Sequence, residues 1–78
     1  MSEEEMTLTT GHLMCENMKE YLIGRCKYHE TNVKLYFQNP VGIGDHPDIL
    51  GAIESELQKL AEYKEKLDVL RQIERGLW

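Results

Sequence analysis

The sequence predicts an all-α fold, a hairpin of two long antiparallel helices that dimerises into a four-helix bundle. Two segments repeat apolar residues every three or four positions, and a stretch rich in proline and glycine separates them. Because two helices cannot surround a core, a second hairpin is the simplest completion. The predicted single domain, 1–78, comprises an acidic lead over 1–10, helices over 12–38 and 47–76, and a loop over 39–46.

The second helix has the clearer pattern. Its apolar residues fall on one face: Leu50, Ile53, Leu57, Leu60, Leu67, Leu70 and Ile73. At the start, Asp45 or His46 is expected to cap the helix, with Pro47 in the first turn. At the end, Gly76 is expected to adopt the left-handed conformation of a Schellman cap.

The first helix has an apolar stripe from Cys15 to Phe37, and Thr9 or Thr10 is expected to cap it. The residues over 31–38 also alternate as in a strand, so both a helix and a strand are open there. A strand would have a partner only near Thr7, and an isolated pair of strands is marginal. The helix is therefore favoured, and Pro40 is expected to end it.

The charge and composition of the chain argue against nucleic-acid-binding, membrane-spanning and secreted proteins. The net charge is −5, with 14 acidic and 9 basic residues, which opposes binding to a nucleic-acid backbone. No run approaches the roughly 20 apolar residues of a membrane span, and the acidic start does not resemble a secretory signal. We therefore expect a cytoplasmic protein with neither a nucleic-acid nor a membrane partner.

His12 and Cys15, followed by Cys26 and His29, have the residue types of a Cys2His2 zinc site. The two cysteines are eleven residues apart, about 16 Å along one helix, so neither an internal disulfide nor a site within one chain is expected. An antiparallel dimer would bring the two pairs together as an intersubunit zinc site. The favoured interpretation is that both cysteines are small buried apolar residues and that no cofactor is bound.

Other chemistry has weaker support. His46 follows Asp45 without a nearby nucleophile, and the Gly42-Ile43-Gly44 turn lacks the third glycine of a nucleotide-binding loop. The aromatic residues have no basic groove beside them and are expected to be core: Tyr21, Tyr28, Tyr36, Phe37 and Tyr63. Trp78 is expected either to be exposed or to fold back beside Leu77. The sequence therefore does not predict an enzyme.

The segment from Tyr36 to Leu50, with its Asn-Pro-Val-Gly-Ile-Gly-Asp-His loop, resembles small proteins encoded by marine tailed bacteriophages. The helix that follows, from Ile53 to Leu67, shares the resemblance, which spans about residues 33–75. It implies a phage origin and, for a phage protein, the cytoplasm of a bacterial host. It implies no activity and no site residues.

The predicted function is a small non-enzymatic interaction or assembly module that presents apolar helical faces, first to a second copy and then to another protein. Its expected packing residues are Leu22, Val33, Phe37, Ile53, Leu57, Leu60, Leu67 and Leu70. The alternative is an intersubunit zinc module.

Overall fold

The computed structural model describes residues 9–39 and 48–78, and these form two helices, α1 (Thr10–Gln38) and α2 (Ile49–Arg75). Contacts between His12 and Trp78 and between His29 and Glu56 show that the helices pack side by side in opposite directions. The predicted all-helical hairpin is confirmed. Residues 1–8 of the acidic lead and most of the predicted loop, including Asp45 and His46, lie outside the described residues.

The start of α1 is capped by Thr9, one of the two predicted candidates. The hydroxyl oxygen of Thr9 accepts a hydrogen bond from the backbone N–H of His12 at 3.2 Å, and the ring of His12 bonds back to Thr9. This reciprocal pair of hydrogen bonds satisfies two backbone N–H groups that would otherwise have no partner at the start of the helix. The helix begins two residues before the predicted boundary.

The end of α1 lies at Gln38, so residues 31–38 are helical and the strand alternative is wrong. The backbone N–H of Asn39 still bonds to the carbonyl of Leu35 at 2.9 Å. Asn39 has left the helical conformation, with φ −145° and ψ 63°, because a proline disfavours α geometry in the residue before it.

The start of α2 differs from the prediction. Asp48, which the predicted range 47–76 placed inside the helix, is the capping residue, and its carboxylate accepts a hydrogen bond from the backbone N–H of Gly51 at 2.8 Å. A Cβ at position 51 would collide with that carboxylate, so a glycine there leaves room for the cap. The helix therefore begins at Ile49, two residues after the predicted start at Pro47.

The end of α2 also differs. Gly76 is right-handed, with φ −98° and ψ −3°, so the expected left-handed Schellman cap is wrong. Instead, the N–H groups of Gly76 and Leu77 bond to the carbonyls of Ile73 and Glu74 at 3.0 and 3.1 Å. These bonds three residues back tighten the last turn and satisfy carbonyls at the helix end.

The contact between the helices follows a seven-residue repeat. Every residue at its two inward positions is buried or half-buried: His12, Cys15, Lys19, Leu22, Cys26, His29, Val33 and Tyr36 in α1, and Ile49, Ile53, Glu56, Leu60, Tyr63, Leu67, Leu70 and Glu74 in α2. We call this set the seam. Alternating steps of three and four residues are typical of an antiparallel coiled coil.

The predicted packing residues divide according to this seam. Leu22, Ile53 and Leu67 are buried, and the half-buried members are Val33, Leu60 and Leu70. Phe37 and Leu57 are 67% and 47% exposed because each lies one position beyond a seam residue. The hairpin therefore leaves these two side chains outside its own core.

We predict that Leu22→Ala lowers the free energy of unfolding by about 2–3 kcal/mol, because the buried side chain leaves a cavity in the seam. Leu13→Ala, at a position 54% exposed, is the matched control and should change stability by about 0.5 kcal/mol or less. Urea unfolding followed by circular dichroism at one protein concentration measures both. Equal losses in the two variants would contradict the seam.

Candidate functional site

A cluster of polar side chains interrupts the apolar seam. His29, only 2% exposed, has its Nδ1 atom 2.6 Å from a carboxylate oxygen of Glu56. The amide of Asn32 donates to the same oxygen at 3.2 Å, and Nη2 of Arg25 lies 3.3 Å from Nε2 of His29. We call these four residues the His29 cluster. Since arginine has donors only, Nε2 accepts and Nδ1–H donates to Glu56.

Aromatic rings enclose the His29 cluster. Tyr63 stacks on His29 with ring centres 5.6 Å apart, and the guanidinium of Arg25 lies 5.0 Å from the Tyr28 ring and 5.4 Å from the Tyr63 ring. The Nε atom of Arg25 is buried without a hydrogen-bond partner, and the two rings offset part of that cost. A hydrogen bond between Tyr21 and Tyr63 raises the pKa of Tyr21 and lowers the pKa of Tyr63.

The electrostatics of the cluster favour a charged Glu56. Burial acts to raise the pKa of Glu56, but the hydrogen bonds from His29 and Asn32 outweigh it, so the pKa lies below its usual range. Both ring nitrogens of His29 are used inside the cluster. This arrangement holds the two helices together, and the His29 ring has no free nitrogen to offer a substrate.

A second polar cluster lies where α1 begins and α2 ends. The carboxylate of Glu74 accepts from Lys19 at 2.8 Å and from the thiol of Cys15 at 3.2 Å, and Lys19 also pairs with Glu16 at 2.7 Å. Hydrogen bonds from Lys19 and Cys15 lower the pKa of Glu74. The bond to Glu74 raises the pKa of Cys15 above its usual range.

Trp78 completes this end of the molecule. Its ring stacks on His12 with centres 3.9 Å apart and remains 56% exposed. Trp78 is therefore exposed, as one of the two predicted alternatives had it, and the sequence did not predict its contact with α1.

Three of the four predicted zinc ligands have other contacts within the chain. His12 takes part in the α1 cap, Cys15 bonds to Glu74 and His29 bonds to Glu56, while Cys15 and Cys26 are both buried free thiols. Over residues 9–39 and 48–78, no group of three or more histidine, cysteine or acidic residues is placed to hold a metal ion. The intersubunit arrangement stays a prediction.

The outer surface of α1 carries a row of exposed apolar and aromatic residues. We call it the Met/Tyr face, and it comprises Met14, Met18, Tyr21, Tyr28 and Leu35, each between 49% and 66% exposed. Where Met18 approaches α2, a groove of about 310 Å³ is lined by Leu22, Val69, Leu70 and Ile73, with Glu65 and Lys66 also bordering it. The face is therefore an apolar surface with a concave end.

The aromatic residues are not the core that their spacing predicted. Tyr21 and Tyr28 are each 55% exposed and Phe37 is 67% exposed, whereas Tyr36 and Tyr63 are half-buried in the seam. Apolar periodicity alone also does not identify the polar seam residues. Their positions were recoverable only from the strict alternation of three and four residues that they share with Leu22 and Ile53.

In comparisons with protein-family models, with curated proteins and with solved structures, nothing matches this chain. Neither α1 nor α2 contains an apolar stretch long enough to cross a membrane.

We predict that Glu56→Gln lowers the free energy of unfolding at pH 7 by about 1–3 kcal/mol, because a charged acceptor of two hydrogen bonds is lost. The stabilisation by Glu56 is fully present above the pKa that a glutamate has in the unfolded chain, about 4.3. It is lost as the pH falls through the pKa of Glu56 in the folded chain, which is lower. The variant should therefore show a flatter stability profile between about pH 5 and 3. The control is Glu54→Gln, on the exposed side of α2, whose stability should depend on pH as in the wild type. If the stability of both variants depends on pH in the same way, the interpretation of the cluster is wrong.

We predict that Glu74→Gln makes Cys15 more reactive. Loss of the carboxylate removes the main cause of the raised pKa, so more thiolate is present at a given pH. The rate of iodoacetamide labelling at pH 8, resolved by peptide mass mapping, should rise severalfold at Cys15. Cys26 in the same molecule and Glu62→Gln on the α2 surface are the controls. A rise at both cysteines would indicate general loosening instead.

Proposed function

We propose that this chain is a small non-enzymatic assembly module that forms a homodimer through an exposed apolar helical face. The observation that carries the proposal is the Met/Tyr face with its adjoining groove. Large exposed apolar patches on a small protein are typical of protein contact sites. Here the patch lies on regular helix, which presents a rigid surface to a partner.

The energetics of a two-helix hairpin support association. Five apolar residues are buried among the described residues: Cys15, Leu22, Cys26, Ile53 and Leu67. A chain of this size has a marginal core even in a compact fold, and oligomerisation is a common remedy. A second hairpin laid on the exposed face supplies the missing burial and gives the four-helix bundle.

The polar clusters support a binding role over catalysis. Across the seam, His29 pairs with Glu56 and Lys19 pairs with Glu74. These two pairs hold the hairpin together. Their hydrogen-bonding groups face the opposite helix within the chain. On this proposal the protein acts in the cytoplasm, since two free buried thiols suit a reducing compartment.

Native mass spectrometry of the purified 78-residue chain, with sedimentation velocity over a range of concentrations, tests the proposal. We expect a dimer of two 78-residue chains without bound metal. A chain that stays monomeric at concentrations of about 100 µM, where weak interfaces still assemble, would contradict the proposal. A dimer whose mass includes zinc would favour the intersubunit His/Cys site instead.

A further inference from the structure

We propose that the Met/Tyr face is the dimer interface and that α1 of each copy packs on α1 of the other in antiparallel, two-fold fashion. This inference rests on the proposed homodimer and names the surface that forms it. Its evidence is the placement of charge on α1, the spacing of the exposed residues, the groove and the area available.

Charge on α1 is segregated away from the Met/Tyr face. The charged residues outside the seam lie mostly on the opposite flank, at Glu16, Glu20, Lys27, Glu30 and Lys34. On the Met/Tyr side the charged residue is Arg25, and the rings of Tyr28 and Tyr63 lie over its guanidinium. Interface cores are depleted in charge and enriched in methionine and aromatic residues, as this face is.

The spacing of the exposed row suits a two-fold axis. Met14, Tyr21, Tyr28 and Leu35 recur every seven residues and occupy the same position of the repeat. The midpoint of the row falls between Gly24 and Arg25. In an antiparallel pair centred there, Met14 faces Leu35 of the partner subunit and Tyr21 faces Tyr28 of the partner subunit. Such a self-complementary row is what an isologous interface requires.

Two local features fit that arrangement. Gly24 lies next to the proposed axis, and a Cβ built at this residue meets nothing within 4 Å, so two helices can approach closely there. The groove is lined by Met18 and Leu22, on either side of Tyr21, where the arrangement brings Tyr28 of the partner subunit. One tyrosine side chain then lies against a concave apolar site on each copy.

The exposed area is sufficient for a stable dimer. With Val69 and Ile73 at its edge, 42% and 54% exposed, the Met/Tyr face offers roughly 700 Å² per copy, close to the about 800 Å² of a standard interface. The opposite flank exposes Leu13, Phe37, Leu50 and Leu57, four large apolar residues against seven on the side of the Met/Tyr face. Further along that flank, charged residues including Glu16 and Arg71 line the surface.

The test compares two double variants of the full chain that are matched in exposure and charge. Met14→Glu/Leu35→Glu alters the proposed interface at positions 66% and 50% exposed, and Phe37→Glu/Leu57→Glu alters the opposite flank at positions 67% and 47% exposed. We expect the first pair to raise the dimer dissociation constant about a hundredfold or more, because four like charges meet across the axis. The second pair should change it by less than about threefold. Circular dichroism establishes that both variants keep the helical hairpin.

A charge-reversal variant tests the two-fold pairing itself. Met14→Lys and Leu35→Glu should each weaken the dimer alone, and together they should restore the dissociation constant to within about tenfold of wild type by placing opposite charges across the axis. Absence of restoration would overturn the antiparallel pairing of α1 with α1.

The failures of the two proposals are distinguishable. A dimer broken by Phe37→Glu/Leu57→Glu and not by Met14→Glu/Leu35→Glu would overturn the inferred face and leave the homodimer standing. A wild-type monomer would overturn both.

Discussion

The hydrogen bonds that Glu56 and Glu74 of α2 accept from α1 determine how the two helices pair. Glu56 accepts from His29, and Glu74 accepts from Lys19. A slip of one heptad would keep much of the apolar contact but separate both pairs. Buried polar pairs add little net stability over apolar residues of the same size, yet their cost when unpaired is high, and for that reason they can define register. The position of each outer residue of α2 along α1 depends on this register.

The sequence predicted the helices better than it predicted their contact. Caps and breakers located both helices within two residues, and the continuation through 31–38 was correct because a lone strand had no stable partner. The apolar stripe was a poorer guide to burial. Counting apolar residues placed Phe37 and Leu57 inside, whereas the seam admits Glu56 and excludes its neighbour. A polar residue is accepted in a seam when a partner lies opposite, and partners across a hairpin are not visible in a linear pattern.

The hairpin also distributes polarity in an unusual way. Its seam contains two histidines, a lysine and two glutamates, while methionine, tyrosine and leucine residues lie outside. A monomer gains little from that distribution, because apolar side chains stabilise only when they leave water. In a four-helix bundle the polar seam residues and the apolar outer residues have separate roles. The polar seam selects the helix within the chain, and in the proposed dimer the Met/Tyr face associates with the second copy without disturbing that choice.

The two surfaces are not independent, because they share Arg25 and Tyr63. Tyr63 stacks on His29 within the seam and also contacts Tyr21, an outer residue, with ring centres 6.4 Å apart. Arg25 bonds to His29 on one side and lies under Tyr28 on the other. Any partner that holds Tyr21 and Tyr28 in place therefore also restrains the rings that enclose the buried cluster. By linkage, the association proposed for this face would stabilise the hairpin, and a correctly paired seam would favour that association.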